Sequence, residues 1–344
     1  MKSYYCKRLY EEVNFDAESV YVCCGKAIGP SFPIYNKDND KSLKSYLKHL
    51  LKWRKQCTKN AFLGKVDNGC INCFDLKEKN ISFFEYIKTI LFNTKMFKIK
   101  NIIIKSFRQC EFSCAYCLEK KYTKCRKTYN VQKSEFYDFL PILKELIKNN
   151  MLDKKELRLE FQGGSISVWN EFKEVLDTAV EYGVKSLFYH TNAVTLIPEI
   201  CEAAKKIPSE MCISIDSGTK ETFKKIKNED KFETVINNII SYAKAGVKCS
   251  IKYILVKNLN DNSEELENFC KTIKYINDNL EEENKVLILL DIDFRDSLCN
   301  KDYIISDEYI NLYKQVKVFC IKNNIVYGYQ KFIFDMLNKR KKLH

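Results

Sequence analysis

The chain has 344 residues, of which 58 are Lys or Arg and 45 are Asp or Glu, giving a formal net charge of +13. Its lysines are spread over the whole length, and only Lys339 to Lys342 form a basic run, so the charge disfavours a dedicated nucleic-acid partner. Sixteen cysteines follow a polar amino terminus, and no stretch approaches the roughly 18 apolar residues of a membrane span, so we expect a cytoplasmic protein with reduced thiols and no membrane partner.

The first part of the chain, residues 1–98, is rich in cysteine. The stretch from Asp16 to Cys23 predicts a turn that enters a short strand. Cys70 and Cys73 form a C-x2-C pair, which together with two distant thiols suits a tetrahedral metal site. The region also contains Cys6 and the adjacent pair Cys23 and Cys24.

Next along the chain comes a predicted strand, 99–105, and then a loop that carries Cys110, Cys114 and Cys117 with the spacing C-x3-C-x2-C. A [4Fe-4S] cluster usually has four cysteine ligands, so three thiolates on one loop would leave one iron open to a ligand that is not protein. A zinc knuckle is the alternative, but a closed zinc site normally pairs two C-x2-C-like elements. The spacing therefore favours an iron-sulfur cluster.

This spacing, with the aromatic Tyr116 before the last cysteine, resembles the radical S-adenosylmethionine (radical SAM) superfamily. The resemblance implies that the amino and carboxylate groups of SAM chelate the open iron. It also implies that an electron from the cluster splits SAM into methionine and a 5'-deoxyadenosyl radical, which takes a hydrogen atom from the substrate. A small electron donor such as flavodoxin or ferredoxin is then expected.

From residue 99 onward, short apolar runs alternate with segments of helical period, which predicts βα units and an α/β fold with a parallel sheet. Gly183 and Gly246 are predicted to end two of the helices, and Ser263 to cap a third. Six such units, over 99–298, resemble the partial (β/α)6 TIM-type barrel of the family, followed by a helical and strand extension with a basic tail over 299–344. The predicted strands are 99–105, 157–161, 184–189, 211–215, 247–256 and 286–294.

Several strand ends match the family's SAM-binding segments. Gly163 and Gly164 stand in the place of its Gly-Gly-Glu motif, with Ser165 where the Glu is usual; a plain turn that needs two glycines is the alternative. Ser214 and Asp216 lie two residues apart, so both face one side of their strand, although Asp216, Ser217 or Thr219 could instead cap the following helix. The residues that the resemblance implies for cofactor binding are Tyr116, Gly163, Gly164, Ser165, Asn192, Ser214, Asp216 and Lys252.

Other polar residues near the predicted mouth have no assigned role. Asp291, Asp293 and Arg295 are candidate pocket residues by alternation and family position. His190 stands at a strand end, where a lone histidine is more often structural than catalytic. The sequence therefore names no general base.

The amino-terminal cysteines resemble the SPASM or twitch modules that hold an auxiliary [4Fe-4S] cluster in many radical SAM enzymes. The resemblance implies a small cysteine-rich module over 1–98 whose ligands are Cys6, Cys23, Cys70 and Cys73, with Cys24 as the alternative to Cys23. Those modules normally follow the barrel, whereas this one would precede it. Structural zinc bound by the same four cysteines remains the alternative.

The sequence therefore predicts a radical SAM enzyme that acts on a peptide or on a sugar or other small metabolite. The alternative is a non-catalytic iron-sulfur binding or electron-transfer protein that retains the fold, because Ser165 replaces the family's carboxylate. RNA modification is a further hypothesis that would draw on the positive charge.

Overall fold

A computed structural model describes residues 2–16, 19–22, 30–36, 40, 42–66, 70, 76–92, 98–105, 110–117, 138–293 and 306–329. The chain divides into two compact units, one of Met1–Arg108 with Val131–Leu187 and the other of Gln109–Asn130 with Phe188–His344. None of the helices in the described ranges combines the length and the apolar character that crossing a membrane requires.

The first unit contains a mixed sheet with the strand order β7-β6-β2-β3-β4 and a separate antiparallel pair of β1 with β5. Strands β2, β6 and β7 are parallel neighbours, and β3 and β4 continue the sheet antiparallel. The elements are β1 (Lys2–Tyr5), α1 (Lys7–Glu11), β2 (Glu12–Asp16), β3 (Ser19–Tyr21), β4 (Ser31–Pro33), α2 (Leu43–Phe62), β5 (Lys77–Asn80), α3 (Phe83–Phe92), β6 (Asn101–Lys105), α4 (Phe139–Lys148), β7 (Arg158–Phe161) and α5 (Phe172–Tyr182).

The predicted separate amino-terminal module is not confirmed. Strand β2 lies beside β6, with Val13 opposite Ile102 and Phe15 opposite Ile104, and all four side chains are buried. Strand β2, which comes from the amino-terminal part of the chain, thus extends the sheet that contains β6. The predicted short strand is present as β3, which ends at Tyr21 and pairs antiparallel with β2, while residues 17–18 and Cys23 lie outside the described residues.

The second unit contains a sheet with the strand order β12-β11-β10-β9-β8, in which β9, β10, β11 and β12 are parallel neighbours. Strand β8 begins where the first unit ends. The elements are β8 (Ser186–Thr191), α6 (Pro198–Ala204), β9 (Ser209–Ser214), α7 (Lys220–Lys227), α8 (Phe232–Lys244), β10 (Lys248–Leu255), α9 (Ser263–Asp278), β11 (Leu287–Ile292), α10 (Asp307–Lys322) and β12 (Tyr327–Tyr329).

The predicted strands from residue 99 onward correspond to β6 through β11, and the α/β class with a mostly parallel sheet is confirmed. Gly183 follows α5 in the left-handed conformation, φ 75°, as predicted for a helix stop. The predicted cap of α9 is wrong by one residue. Asn262 is the cap, because its side chain accepts a hydrogen bond from the backbone N–H of Glu265 at 3.0 Å.

Candidate functional site

The loop that carries Cys110, Cys114 and Cys117 belongs to the second unit and is seated on helix α7. Phe112 is buried and packs edge-to-face on Phe223 of that helix, with ring centroids 5.8 Å apart. Aromatic pairs of this geometry contribute about 0.5–1.5 kcal/mol beyond the burial of their area. The apolar contact therefore anchors the loop between its first two cysteines.

Backbone hydrogen bonds tie the same loop to the carboxyl end of α7. The N–H of Ser113 donates to the carbonyl of Lys227 at 3.2 Å, and the N–H of Ala115 donates to the carbonyl of Ile226 at 2.7 Å. The last carbonyls of a helix have no partner within it, so a loop that supplies N–H groups there satisfies both elements. The position of Cys114 is thus fixed by its neighbours on either side.

A buried polar cluster lies beneath the loop and consists of Tyr116, Asp216 and Lys227. The phenol of Tyr116 donates to Oδ2 of Asp216 at 2.5 Å, and Nζ of Lys227 donates to Oη of Tyr116 at 2.6 Å and also to Oδ2 of Asp216. The side chains of Lys227 and Asp216 are only 2% and 0% exposed, so both charges are removed from water. Burial, reinforced by the carboxylate of Asp216, raises the pKa of the Tyr116 phenol well above its ordinary value.

Asp216 is bonded by its backbone and by both carboxylate oxygens. It has a positive φ of 60°, and its Oδ1 accepts from the N–H of Ile254 at 2.8 Å. Its carbonyl accepts from Nδ2 of Asn260 at 2.7 Å. The alternative that Asp216 caps the following helix is wrong, because Thr219 is the cap of α7 and accepts from the N–H of Thr222.

Asn192 and Lys227 each influence one of the cysteine thiols. Nδ2 of Asn192, just after β8, lies 3.6 Å from Sγ of Cys110 and donates to Glu111 at 3.2 Å. Desolvation of the sulfur raises the pKa of the Cys110 thiol, and the hydrogen bond from Asn192 opposes that rise. Burial raises the pKa of Cys114, and the positive charge of Lys227 opposes that rise.

A second buried ion pair joins neighbouring strands of the same sheet. Nζ of Lys252 on β10 lies 3.3 Å from Oδ2 of Asp291 on β11. Burial raises the pKa of Asp291 to about 6 against the opposing charge of Lys252. Ser214 on β9 is the register partner of Lys252, so three of the predicted polar residues share this part of the sheet. Asp293, two residues after Asp291, is also buried, whereas Arg295 lies outside the described residues.

The glycine turn that follows β7 belongs to the first unit. Gly163 has a positive φ of 119°, a backbone conformation that residues other than glycine rarely adopt. Ser165 is buried, and its hydroxyl lies 2.7 Å from that of Ser167. The turn thus needs at least one of its glycines, because only glycine adopts this backbone conformation readily.

His190, at the end of β8, packs its ring against that of Phe188, with ring centroids 4.8 Å apart, in keeping with a structural role.

The predicted amino-terminal ligands are only partly within the described residues. Cys6 is buried in an apolar cluster with Leu9, Tyr10 and Phe62, an environment typical of an ordinary buried thiol. Cys70 is described and half-buried, whereas Cys23, Cys24 and Cys73 lie outside the described residues. Over the ranges that the structure describes, no three His, Cys, Asp or Glu side chains are arranged to hold one metal ion.

The fold and this site define an α/β protein with a three-cysteine loop next to a parallel sheet. Residues 104–271 match the model of the Radical SAM superfamily. This part of the chain is therefore similar to the radical SAM domain, and the similarity implies an enzyme that uses a [4Fe-4S] cluster and SAM.

Part of the chain is also similar to curated proteins. The chain is 27% identical over 167 residues to a GTP 3',8-cyclase of Vibrio parahaemolyticus, a match that covers 48% of this chain and 48% of that protein. It is 28% identical over 168 residues to a GTP 3',8-cyclase of Mannheimia succiniciproducens, covering 48% and 47%. The matched part of the chain spans about half the length of these relatives.

Among solved structures, the chain is similar to Streptococcus suis SuiB bound to the precursor peptide SuiA. The identity is 16% and the TM-score is 0.48, over 96% of this chain and 73% of that one.

Proposed function

We propose that this chain is a radical SAM enzyme in which Cys110, Cys114 and Cys117 hold a [4Fe-4S] cluster. When bound there, the cluster supplies one electron to SAM, giving methionine and a 5'-deoxyadenosyl radical that abstracts a hydrogen atom from the substrate. The observation that carries the proposal is the presence of three thiols on one loop, held against α7 within the matched domain. A small protein such as flavodoxin or ferredoxin would supply the electron, and the expected cytoplasmic location is part of the proposal.

The surroundings of the thiols fit a cluster. Cluster cysteines bind as thiolates, which hydrogen-bond donors and nearby cations stabilise. Cys110 has the amide of Asn192 within 3.6 Å of its sulfur, and Cys114 has the charge of Lys227 acting on its pKa. A four-iron cluster distributes its thiolates over separate irons, and three of them leave one iron for SAM.

The predicted SAM-binding residues keep that role as a proposal. In the second unit, Asn192, Ser214 and Lys252 have polar groups near the loop or on adjacent strands. Tyr116 and Asp216 would act mainly through the loop, because their polar atoms bond each other and Lys227. For Gly163, Gly164 and Ser165 the proposal rests on their place in the family motif. The partial-barrel arrangement of 99–298 is supported by the parallel pairings within each unit.

The names of the curated relatives guide the choice of substrate to test. The curated relatives are named for a reaction of a nucleotide, which favours a small metabolite over a peptide. Because the match covers about half of each relative, GTP is the first compound to test rather than the assigned substrate. Added GTP should accelerate the release of 5'-deoxyadenosine if it is the substrate, and a lack of acceleration would direct the search to sugars and peptides.

An auxiliary metal centre at Cys6, Cys23, Cys70 and Cys73, either a second [4Fe-4S] cluster or zinc, is a separate proposal. The apolar packing of Cys6 weakens its support. Metal analysis of the variant in which Cys110, Cys114 and Cys117 are all Ala tests it. Iron or zinc retained by that variant would support the centre, and metal-free protein would refute it.

The non-catalytic alternative has one observation in its favour, the hydroxyl of Ser165 where the family has a carboxylate. Anaerobic reconstitution followed by SAM and dithionite separates the two functions. The wild-type chain should release 5'-deoxyadenosine, the triple cysteine variant should release none, and Cys201→Ala, a matched change at a half-buried thiol on α6, should behave as wild type. A cluster-loaded wild type that releases none would favour the alternative.

A further inference from the structure

We propose that Lys227 is a positioning residue that clamps the cysteine loop through Tyr116 and Asp216 and supplies a fixed positive charge beside the cluster that the proposed function places at Cys114. The charge part of this inference rests on that proposed function. The clamp part concerns the chain alone.

The clamp follows from which segments the cluster joins. Tyr116 is 100 residues from Asp216 and 111 residues from Lys227 along the chain, yet all three polar groups share hydrogen bonds. Tyr116 stands between Cys114 and Cys117, so the hydrogen bonds of its phenol attach that half of the loop to Asp216 and Lys227. The two backbone bonds to the end of α7 hold the adjacent residues, and they depend on the same helix end that carries Lys227.

The burial of Lys227 requires a compensating interaction. An ammonium taken out of water is costly unless it is paired and hydrogen-bonded, and breaking such a pair is more destabilising than replacing both partners. Lys227 has both requirements met, by the carboxylate of Asp216 and by the phenol oxygen of Tyr116. The neighbouring Lys225 on the same helix is exposed, so the helix places one lysine inward and another in solvent.

The charge matters because Lys227 lies beside Cys114: its carbonyl accepts from the N–H of Ser113, the residue before Cys114, at 3.2 Å, and its Nζ donates to the phenol of Tyr116, two residues after Cys114, at 2.6 Å. A nearby positive charge stabilises the reduced cluster, which is the more negative state, and raises its reduction potential. Lys227→Met would leave the carboxylate of Asp216 alone beside the loop, and Asp216→Asn would leave the ammonium alone. The two changes should therefore move the potential in opposite directions.

The experiment is a redox titration of the reconstituted chain, followed by the electron paramagnetic resonance (EPR) signal of the reduced cluster. We expect a more negative midpoint potential for Lys227→Met, a more positive one for Asp216→Asn, and a value near wild type for Lys227→Arg. Lys225→Met is the matched control and should leave the potential unchanged. Unchanged potentials in both Lys227→Met and Asp216→Asn would overturn the assigned charge effect.

A second measurement addresses the clamp and remains available if a single variant does not fold. The double variant Lys227→Met with Asp216→Asn removes both buried charges, which leaves neither unpaired. Loss of iron to a chelator should be about 2- to 10-fold faster than in wild type, the change expected for the loss of one net hydrogen bond or more. Equal rates would overturn the clamp. If the wild-type chain takes up no cluster, the proposed function fails instead, whatever the variants show.

Discussion

Asn260 connects the turn after β9 to the end of β10 through one fully buried side chain. Its Nδ2 donates to the carbonyl of Asp216 at 2.7 Å and to that of Ile254 at 2.8 Å. Its Oδ1 accepts from the N–H of Val256 at 2.7 Å. These bonds support the positive φ of Asp216, the residue on which the Tyr116 and Lys227 side chains converge.

We predict that Asn260→Ala destabilises the protein severely. The change leaves two carbonyls and one N–H in the interior without this partner, and each buried polar group left unpaired costs about 1–3 kcal/mol. Since the three groups share one side chain and their losses are not fully additive, we expect a total of about 3–6 kcal/mol. A domain of ordinary stability has about 5–15 kcal/mol in total, so the effect is a large share of it.

The assay is urea unfolding of the metal-free protein under reducing conditions, followed by circular dichroism. Asn237→Ala, at an exposed position on α8, is the matched control and should stay within about 0.5 kcal/mol of wild type. A loss below about 1 kcal/mol for Asn260→Ala would refute the reasoning, because it would mean that water or a rearranged backbone satisfies the same groups.

Two further substitutions give different kinds of result. Gly218→Ala should cost more than about 3 kcal/mol in urea unfolding, because an added Cβ would meet the backbone of Phe269, whereas Gly246→Ala, with a φ of 87° and open space around it, should cost only about 1–2 kcal/mol. Similar losses for the two would contradict the clash. Burial and the neighbouring Asp138 raise the pKa of Glu171 from 4.5 to about 7, so the folded state prefers the protonated acid and this contribution to stability is lost as the pH rises through that window. Glu171→Gln should therefore gain stability over wild type in melting curves at pH 8 and not at pH 4, and parallel curves at both pH values would disprove the assignment.

The strands of the parallel sheet could be predicted from the sequence because each is a short apolar run between turn signals. Ile102, Ile103 and Ile104 in β6 are buried, as are Tyr253, Ile254 and Leu255 in β10, as such patterns imply. The cysteine loop was equally apparent, since its spacing is local in the chain. The end of α5 at Gly183 was predictable for the same reason, because a glycine after a run of helical period is a local signal.

Strand β2 was not predicted to join the sheet, and its composition explains why. All five of its residues are buried, although Glu12, Asn14 and Asp16 are polar. Its neighbour β6 is distant in the chain, and Nδ2 of Asn101 donates to Glu12 across 89 residues at 3.1 Å. A pairing that depends on such a long-range contact has no periodic signature in the sequence.

Lys227 was missed because Lys224, Lys225 and Lys227 together suggest a solvated helix face. A usable signal was present. Lys227 follows Phe223 by one helical turn, so it lies on the face that Phe223 buries. A lysine on the apolar face of a helix, close in the fold to an aspartate after a strand, is the pattern to seek in similar chains.

The most direct test of the central claim is the EPR spectrum of the dithionite-reduced, reconstituted chain before and after SAM is added. If three thiolates leave one iron open, SAM binds that iron, and the spectrum of the reduced cluster should change in the wild-type chain. An unchanged spectrum at saturating SAM, with a full complement of iron, would contradict the account.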